Sequence, residues 1–144
     1  MSIFLFGIDF YIFYDSIISK GGFMSLLDKI CSSIKFKKGS NYIIKRNSQL
    51  NETLETFQSQ VQNITNQQDD EVNYIFINEC SSLELECRFS IETIKGKLKY
   101  LKPNNEKETK IKDEIITAFE ASKKKYISIC VEFNNNSLVS ELKA

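Results

Sequence analysis

Apolar residues recur every three or four positions over a long central stretch, and this period narrowly limits how the chain can fold. Between positions 72 and 101 the spacing is that of one face of an α-helix. A narrow apolar stripe on a long helix has to be covered by another helix, so the pattern predicts a helical bundle or coiled coil. The stripe consists of Val72, Phe76, Cys80, Leu83, Cys87, Ile91, Ile94, Leu98 and Leu101.

Two further stretches show the same period. The first is predicted to begin at Ser48, which suits an N-cap, and to end near Asn66. Its stripe consists of Leu50, Leu54, Phe57, Val61 and Ile64. The second is predicted to run from about Glu106 to Leu142, with fraying or a kink at the asparagines 134–136. Its stripe consists of Ile111, Ile115, Phe119, Ser122, Tyr126, Ile129 and Phe133.

A strand competes with the helix at positions 83–91, where every second residue is apolar. The helix is favoured because this alternation stops outside the window, whereas the helical spacing continues. Pro103 interrupts the pattern, since proline disfavours helix in the residue before it. The predicted fold class is therefore all-α: a long antiparallel helical hairpin plus a shorter helix, forming a coiled-coil-like bundle that dimerises.

The first 23 residues are apolar and aromatic but contain Asp9 and Asp15. Two aspartates inside one segment oppose a membrane span, and the first lysine follows the apolar run, unlike the basic start of a signal peptide. We predict an interfacial or core-covering segment, and a true start at Met24 instead of Met1 remains open. The predicted divisions are 1–23, an apolar extension; 24–46, an amphipathic basic segment; and 47–144, a helical coiled-coil domain.

The composition lacks the usual parts of a catalytic or metal site. The chain has no histidine, the commonest general base and metal ligand near neutral pH. Its four cysteines show no CxxC spacing and are expected to be reduced. The acidic run 69–71 is interpreted as solvated carboxylates. We therefore expect no enzyme activity, no cofactor and no metal.

The charges are segregated although the net charge is zero. Residues 29–46 hold six basic and no acidic residues, 47–87 eight acidic and no basic, and 88–112 eight basic and three acidic. The predicted turn at Pro103 gathers seven lysines at one end, where each contributes roughly 1 kcal/mol near an anionic membrane. Nucleic acid is the less favoured partner because arginines are few. The seven are Lys95, Lys97, Lys99, Lys102, Lys107, Lys110 and Lys112.

A second basic stretch contains Lys35, Lys37 and Lys38 and follows the apolar residues Leu26, Leu27 and Ile30. Two interpretations are equally favoured. The stretch forms an amphipathic segment that lies in a membrane interface, with the three lysines as lipid ligands. Alternatively, it is a linker whose apolar residues are buried.

Three parts of the sequence resemble the BAR domain, a family of banana-shaped helical dimers that bind curved membranes. Residues 97–102 with the Lys/Glu-rich turn resemble the tip of that domain, and residues 118–142 resemble its last helix. Phe36-Lys37-Lys38 is similar to its usual entry. The predicted first helix is shorter than in the family, so the resemblance is to a shortened member.

These observations together predict a cytoplasmic, peripheral membrane protein. It would dimerise through its helical stripes and bind anionic lipid with its lysines, acting as a scaffold without chemistry. The alternative is a coiled-coil subunit or adaptor, whose apolar stripes pack on partner helices of a larger assembly.

Overall fold

The computed structural model describes residues 23–66 and 69–143 of the chain. This part contains three helices and no strand: α1 (Phe23–Asn66), α2 (Asp70–Tyr100) and α3 (Glu106–Lys143). The prediction of an all-α fold is confirmed. The predicted apolar extension lies outside the described residues as far as position 22.

Helix α1 departs most from the sequence prediction. With 44 residues it is the longest of the three described helices, not the shorter one. It begins at Phe23, so Ser48 is an interior position and the predicted N-cap there is wrong. The basic segment 24–46 is part of this helix and continues without a break into the residues that follow.

Two polar residues in the stripe of α1 account for the missed start. The apolar stripe continues backward from Leu50 in steps of seven, through Ile43 to Phe36, and all three side chains are buried. The stripe positions between them are Ser40 and Asn47. These polar residues interrupt the apolar period, which is why the pattern indicated a helix that begins only after them.

Asn47 belongs to a polar layer in the interface between α1 and α3, formed with Asn51 and Ser122. The Ser122 hydroxyl donates to Asn47 Oδ1 at 2.8 Å. The Asn51 amide donates to Ser122 Oγ at 3.1 Å. Buried polar groups are tolerated when they are hydrogen-bonded, and Ser122 is almost completely buried in this layer.

Contacts between the helices fix their relative directions. The Asn136 side-chain amide donates to the Val61 carbonyl at 3.0 Å, and Ser122 lies beside Asn51, so α3 runs in the direction of α1. Helix α2 connects the two and runs the opposite way. Helix α1 contacts α2 and α3 extensively, whereas α2 and α3 contact each other less. Helix α3 continues through the asparagines 134–136, and the third of them binds α1.

The strand interpretation of residues 83–91 is wrong, because this stretch lies inside α2. A half-buried strand would place all five alternating apolar residues on one covered face. Instead, Cys87 and Ile91 are buried, while Leu85 and Phe89 are 57% and 67% exposed. The helical stripe therefore supplies the core and leaves two large apolar side chains outside.

Short polar side chains begin both later helices. Asp69 is the N-cap of α2, and its carboxylate accepts the Glu71 N–H at 2.9 Å. Asn105 Oδ1 accepts the Glu108 N–H at 2.8 Å at the start of α3. Asp69 thus satisfies one free N–H group of α2, and the acidic run at 69–71 complements the positive end of the α2 dipole.

Two helical glycines are expected to respond in opposite ways to alanine. A Cβ at Gly96 meets nothing within 4 Å, so Gly96→Ala should raise the free energy of unfolding by about 0.5–1 kcal/mol through helix propensity. A Cβ at Gly39 would lie 2.9 Å from Leu101 Cδ1, so Gly39→Ala should gain little and Gly39→Leu should destabilise. Urea unfolding measures all three. Equal gains from the two alanine variants would contradict the close approach of Leu101 to α1.

Candidate membrane-binding surface

The seven lysines predicted to gather around Pro103 lie on the two helix ends that this proline connects, and in the connection itself. Three belong to the last turns of α2, one to the connection at 101–105 and three to the first turns of α3. All are exposed except Lys112, which is partly buried. Lys112 Nζ donates to the Leu101 carbonyl at 2.7 Å, so this lysine holds the end of α2 against the start of α3.

The basic stretch of α1 lies at the same end of the bundle. Leu101 packs against Gly39, within two residues of Lys37 and Lys38. A cleft of about 600 Å³ separates this part of α1 from the connection. Its lining comes from Asp28, Lys29, Ser32 and Ser33 on one side and from Asn104 and Asn105 on the other. Two stretches more than fifty residues apart in sequence therefore meet, a proximity that the spacing of residues along the chain does not indicate.

We define the basic end as residues 23–46 and 92–116, and the acidic end as residues 47–91 and 117–143. The basic end has thirteen basic and six acidic residues, a net charge of +7. The acidic end has five basic and eleven acidic residues, a net charge of −6. The neutral chain is thus strongly polarised along the bundle, and such a field attracts anions to one end.

Ion pairs do not neutralise the basic end within the described part of the chain. The two ion pairs found there join Arg88 to Glu84 and Lys123 to Glu120, and both lie in the acidic end. At the basic end, Lys97 Nζ lies 5.3 Å from the centroid of the Tyr42 ring. Lys99 Nζ lies 5.9 Å from the Tyr100 ring centroid. The lysines therefore keep their charge available to an external anion.

The structure places Leu26, Leu27 and Ile30 in one continuous helix, which departs from both interpretations of the basic stretch. All three belong to helix α1, so this stretch is neither a linker nor a separate short segment. Leu26 and Leu27 are partly buried, and Ile30 is exposed. Lys35, Lys37 and Lys38 are all exposed on this helix, and their role as lipid ligands remains a prediction.

Tyr126, Glu84 and Arg88 form a linked polar cluster between α2 and α3 at the acidic end. Tyr126 donates to Glu84 Oε1 at 2.8 Å, and Arg88 binds the other oxygen of that carboxylate at 2.8 Å. Burial, followed by the hydrogen bond to Glu84, raises the pKa of Tyr126. Burial also raises the pKa of Cys87 to about 12, so its thiol is a poor nucleophile near neutral pH.

Residues 23–66 and 69–143 contain neither a helix that could span a membrane nor a cluster of metal-binding side chains. None of the three helices combines enough length with enough apolar character to cross a bilayer. No group of three or more cysteine, aspartate or glutamate side chains in these residues is arranged to hold a metal ion.

Comparison with known proteins does not assign the chain to a family. No family model matches the sequence. No curated protein and no solved structure matches the chain either. The resemblance to the BAR domain therefore stays a prediction.

Proposed function

We propose that the chain is a non-enzymatic, peripheral membrane-binding scaffold that attaches to anionic lipid through its basic end. The observation that carries this proposal is the meeting of two basic stretches, Lys35 to Lys38 on α1 and Lys95 to Lys110 around the α2–α3 connection, at one end of the bundle. Each exposed lysine near an anionic surface contributes roughly 1 kcal/mol, so several acting together can hold a protein on a membrane.

The same proposal includes the finer features predicted from the sequence. The helices pair as an antiparallel, coiled-coil-like hairpin, and two copies associate so that two basic ends face one membrane. The length of α1 supports a likeness to the BAR domain. The predicted short first helix set the chain apart from that family, whereas α1 has 44 residues. Two linked binding ends would raise the apparent affinity without new contacts.

Flotation with lipid vesicles tests this function. We expect the chain to float with vesicles containing phosphatidylserine and to remain at the bottom of the gradient with pure phosphatidylcholine. Binding should fall steeply between low and physiological salt, where the Debye length shrinks to about 8 Å. A chain that never floats with anionic vesicles at low salt would refute the membrane function.

A second candidate function rests on exposed apolar side chains at the acidic end. Leu85 and Phe89 on α2, and Ile127 and Val131 on α3, are each more than half exposed. A groove of about 330 Å³ lies between these helices and includes Leu85 and Phe133 in its lining. Exposed apolar patches mark protein interfaces, so the groove and the exposed apolar residues of these two helices suit a partner helix in a larger assembly. Failure to float would favour this adaptor function.

A further inference from the structure

Two tyrosines at the basic end are exposed on the helix surface. The Tyr100 side chain is 75% exposed at the last position of α2, and Tyr42 is 44% exposed on α1. Neither belongs to the buried core, which is supplied here by residues such as Ile43, Ile94 and Leu101. Single exposed apolar residues are ordinary in proteins, so exposure alone assigns them no role.

The surroundings of the two rings distinguish them from ordinary exposed residues. Each ring has a lysine ammonium within cation–π distance: Lys97 over Tyr42 at 5.3 Å and Lys99 over Tyr100 at 5.9 Å. Both residues are also near the contact between Gly39 and Leu101 in sequence, because Tyr42 is one helical turn from the glycine and Tyr100 precedes the leucine. The basic end therefore presents two pairs that each combine a cation with an aromatic ring.

This combination matches the chemistry of the bilayer interface. A tyrosine ring is apolar while its hydroxyl is polar, and such side chains favour the headgroup level of a membrane. A lysine beside the ring can reach the phosphates at the same depth, with its aliphatic part along the apolar layer. The net charge of +7 at this end provides the complementary attraction to anionic lipid.

We propose that Tyr42 and Tyr100 are interfacial anchors whose rings enter the headgroup layer of an anionic membrane, beside Lys97 and Lys99. This inference rests on the proposed membrane function and deepens it. Part of the membrane affinity then comes from burial of the aromatic rings. Salt weakens this contribution much less than it weakens the attraction between the lysines and anionic lipid. Truncation by Tyr100→Ser should lower vesicle partitioning about tenfold, whereas Tyr100→Phe should retain most of it.

The absence of tryptophan from the sequence permits a direct test. Tyr100→Trp creates a single fluorescent reporter at the proposed anchor, and Phe89→Trp creates a matched reporter on the same helix at the acidic end. On vesicles containing phosphatidylserine, we expect the fluorescence emission of the reporter at position 100 to shift to the blue. Lipids brominated near the headgroup should quench this emission. The reporter at 89 should show neither change. Both positions are exposed, so circular dichroism should show unchanged helicity.

The outcomes separate this inference from the proposed function. If the chain floats while the reporter at 100 shows no shift and no quenching, the anchor role is refuted and the electrostatic membrane function stands. If the unmodified chain does not float, both fail. A single-stranded oligonucleotide that quenches the reporter at 100 when vesicles do not would assign the rings to base stacking and would also refute the anchor role.

Discussion

Replacing Lys102, Lys107 and Lys110 together by glutamate is expected to abolish flotation with anionic vesicles while leaving the helices intact. The three side chains are exposed, and their reversal lowers the net charge of the basic end from +7 to +1. The fold should tolerate the change because Lys107 and Lys110 lie in the first turns of α3, where the helix dipole favours acidic residues. Flotation and circular dichroism measure the two effects.

A triple reversal elsewhere in the chain controls for net charge. Changing Lys123, Lys124 and Lys125 to glutamate alters the total charge by the same six units, but within the acidic end. This variant should continue to float at low salt. Equal loss of flotation in the two variants would show that total charge governs binding, and would contradict a localised surface around the α2–α3 connection.

Phe57→Ala is expected to cost about 3–5 kcal/mol of unfolding free energy, a large part of the stability of a domain this size. The Phe57 side chain is fully buried, and its ring packs edge-to-face on Phe133 with centroids 5.8 Å apart. Truncation leaves a cavity between α1 and α3 and removes this aromatic pair. Urea unfolding of the purified chain measures the loss.

Phe89→Ala is the matched control for that substitution. It removes the same atoms from a side chain that is 67% exposed on α2, so it should change stability by less than about 0.5 kcal/mol. Comparable losses at positions 57 and 89 would mean that Phe89 is covered in solution. That result would support a partner, or a second copy, on the outer face of α2.

The fold could be predicted wherever the apolar period was unbroken. All five stripe residues predicted for 50–64 are buried, and so are Cys80, Cys87, Ile91 and Ile94 of α2. The first half of α1 was missed because Ser40 and Asn47 occupy stripe positions. The steps of seven from Phe36 through Ile43 to Leu50 were the available signal, since a heptad spacing survives when only one of its two positions is apolar.

The candidate site could be predicted only in part, for a different reason. The lysines around Pro103 are close in sequence, so a turn was enough to gather them. The approach of Lys35, Lys37 and Lys38 to that cluster depends on the start of α1 and on how α1 aligns with α2. Local spacing does not encode that alignment, and it gave no indication of the pairing of Tyr42 with Lys97.

The polar layer of Asn47, Asn51 and Ser122 determines how α1 and α3 align along their lengths. A heptad stripe repeats, so one helix could slide along the other by seven residues and still match apolar to apolar. Such a slip would bring Ile115 or Ile129 opposite the two partly buried asparagines and remove their hydrogen bonds to Ser122, each of which contributes about 0.5–1.5 kcal/mol. Three uncharged side chains in the middle of the bundle thereby fix how α3 aligns with α1 at the distant end as well. They set where the start of α3, with its lysines, stands beside α1.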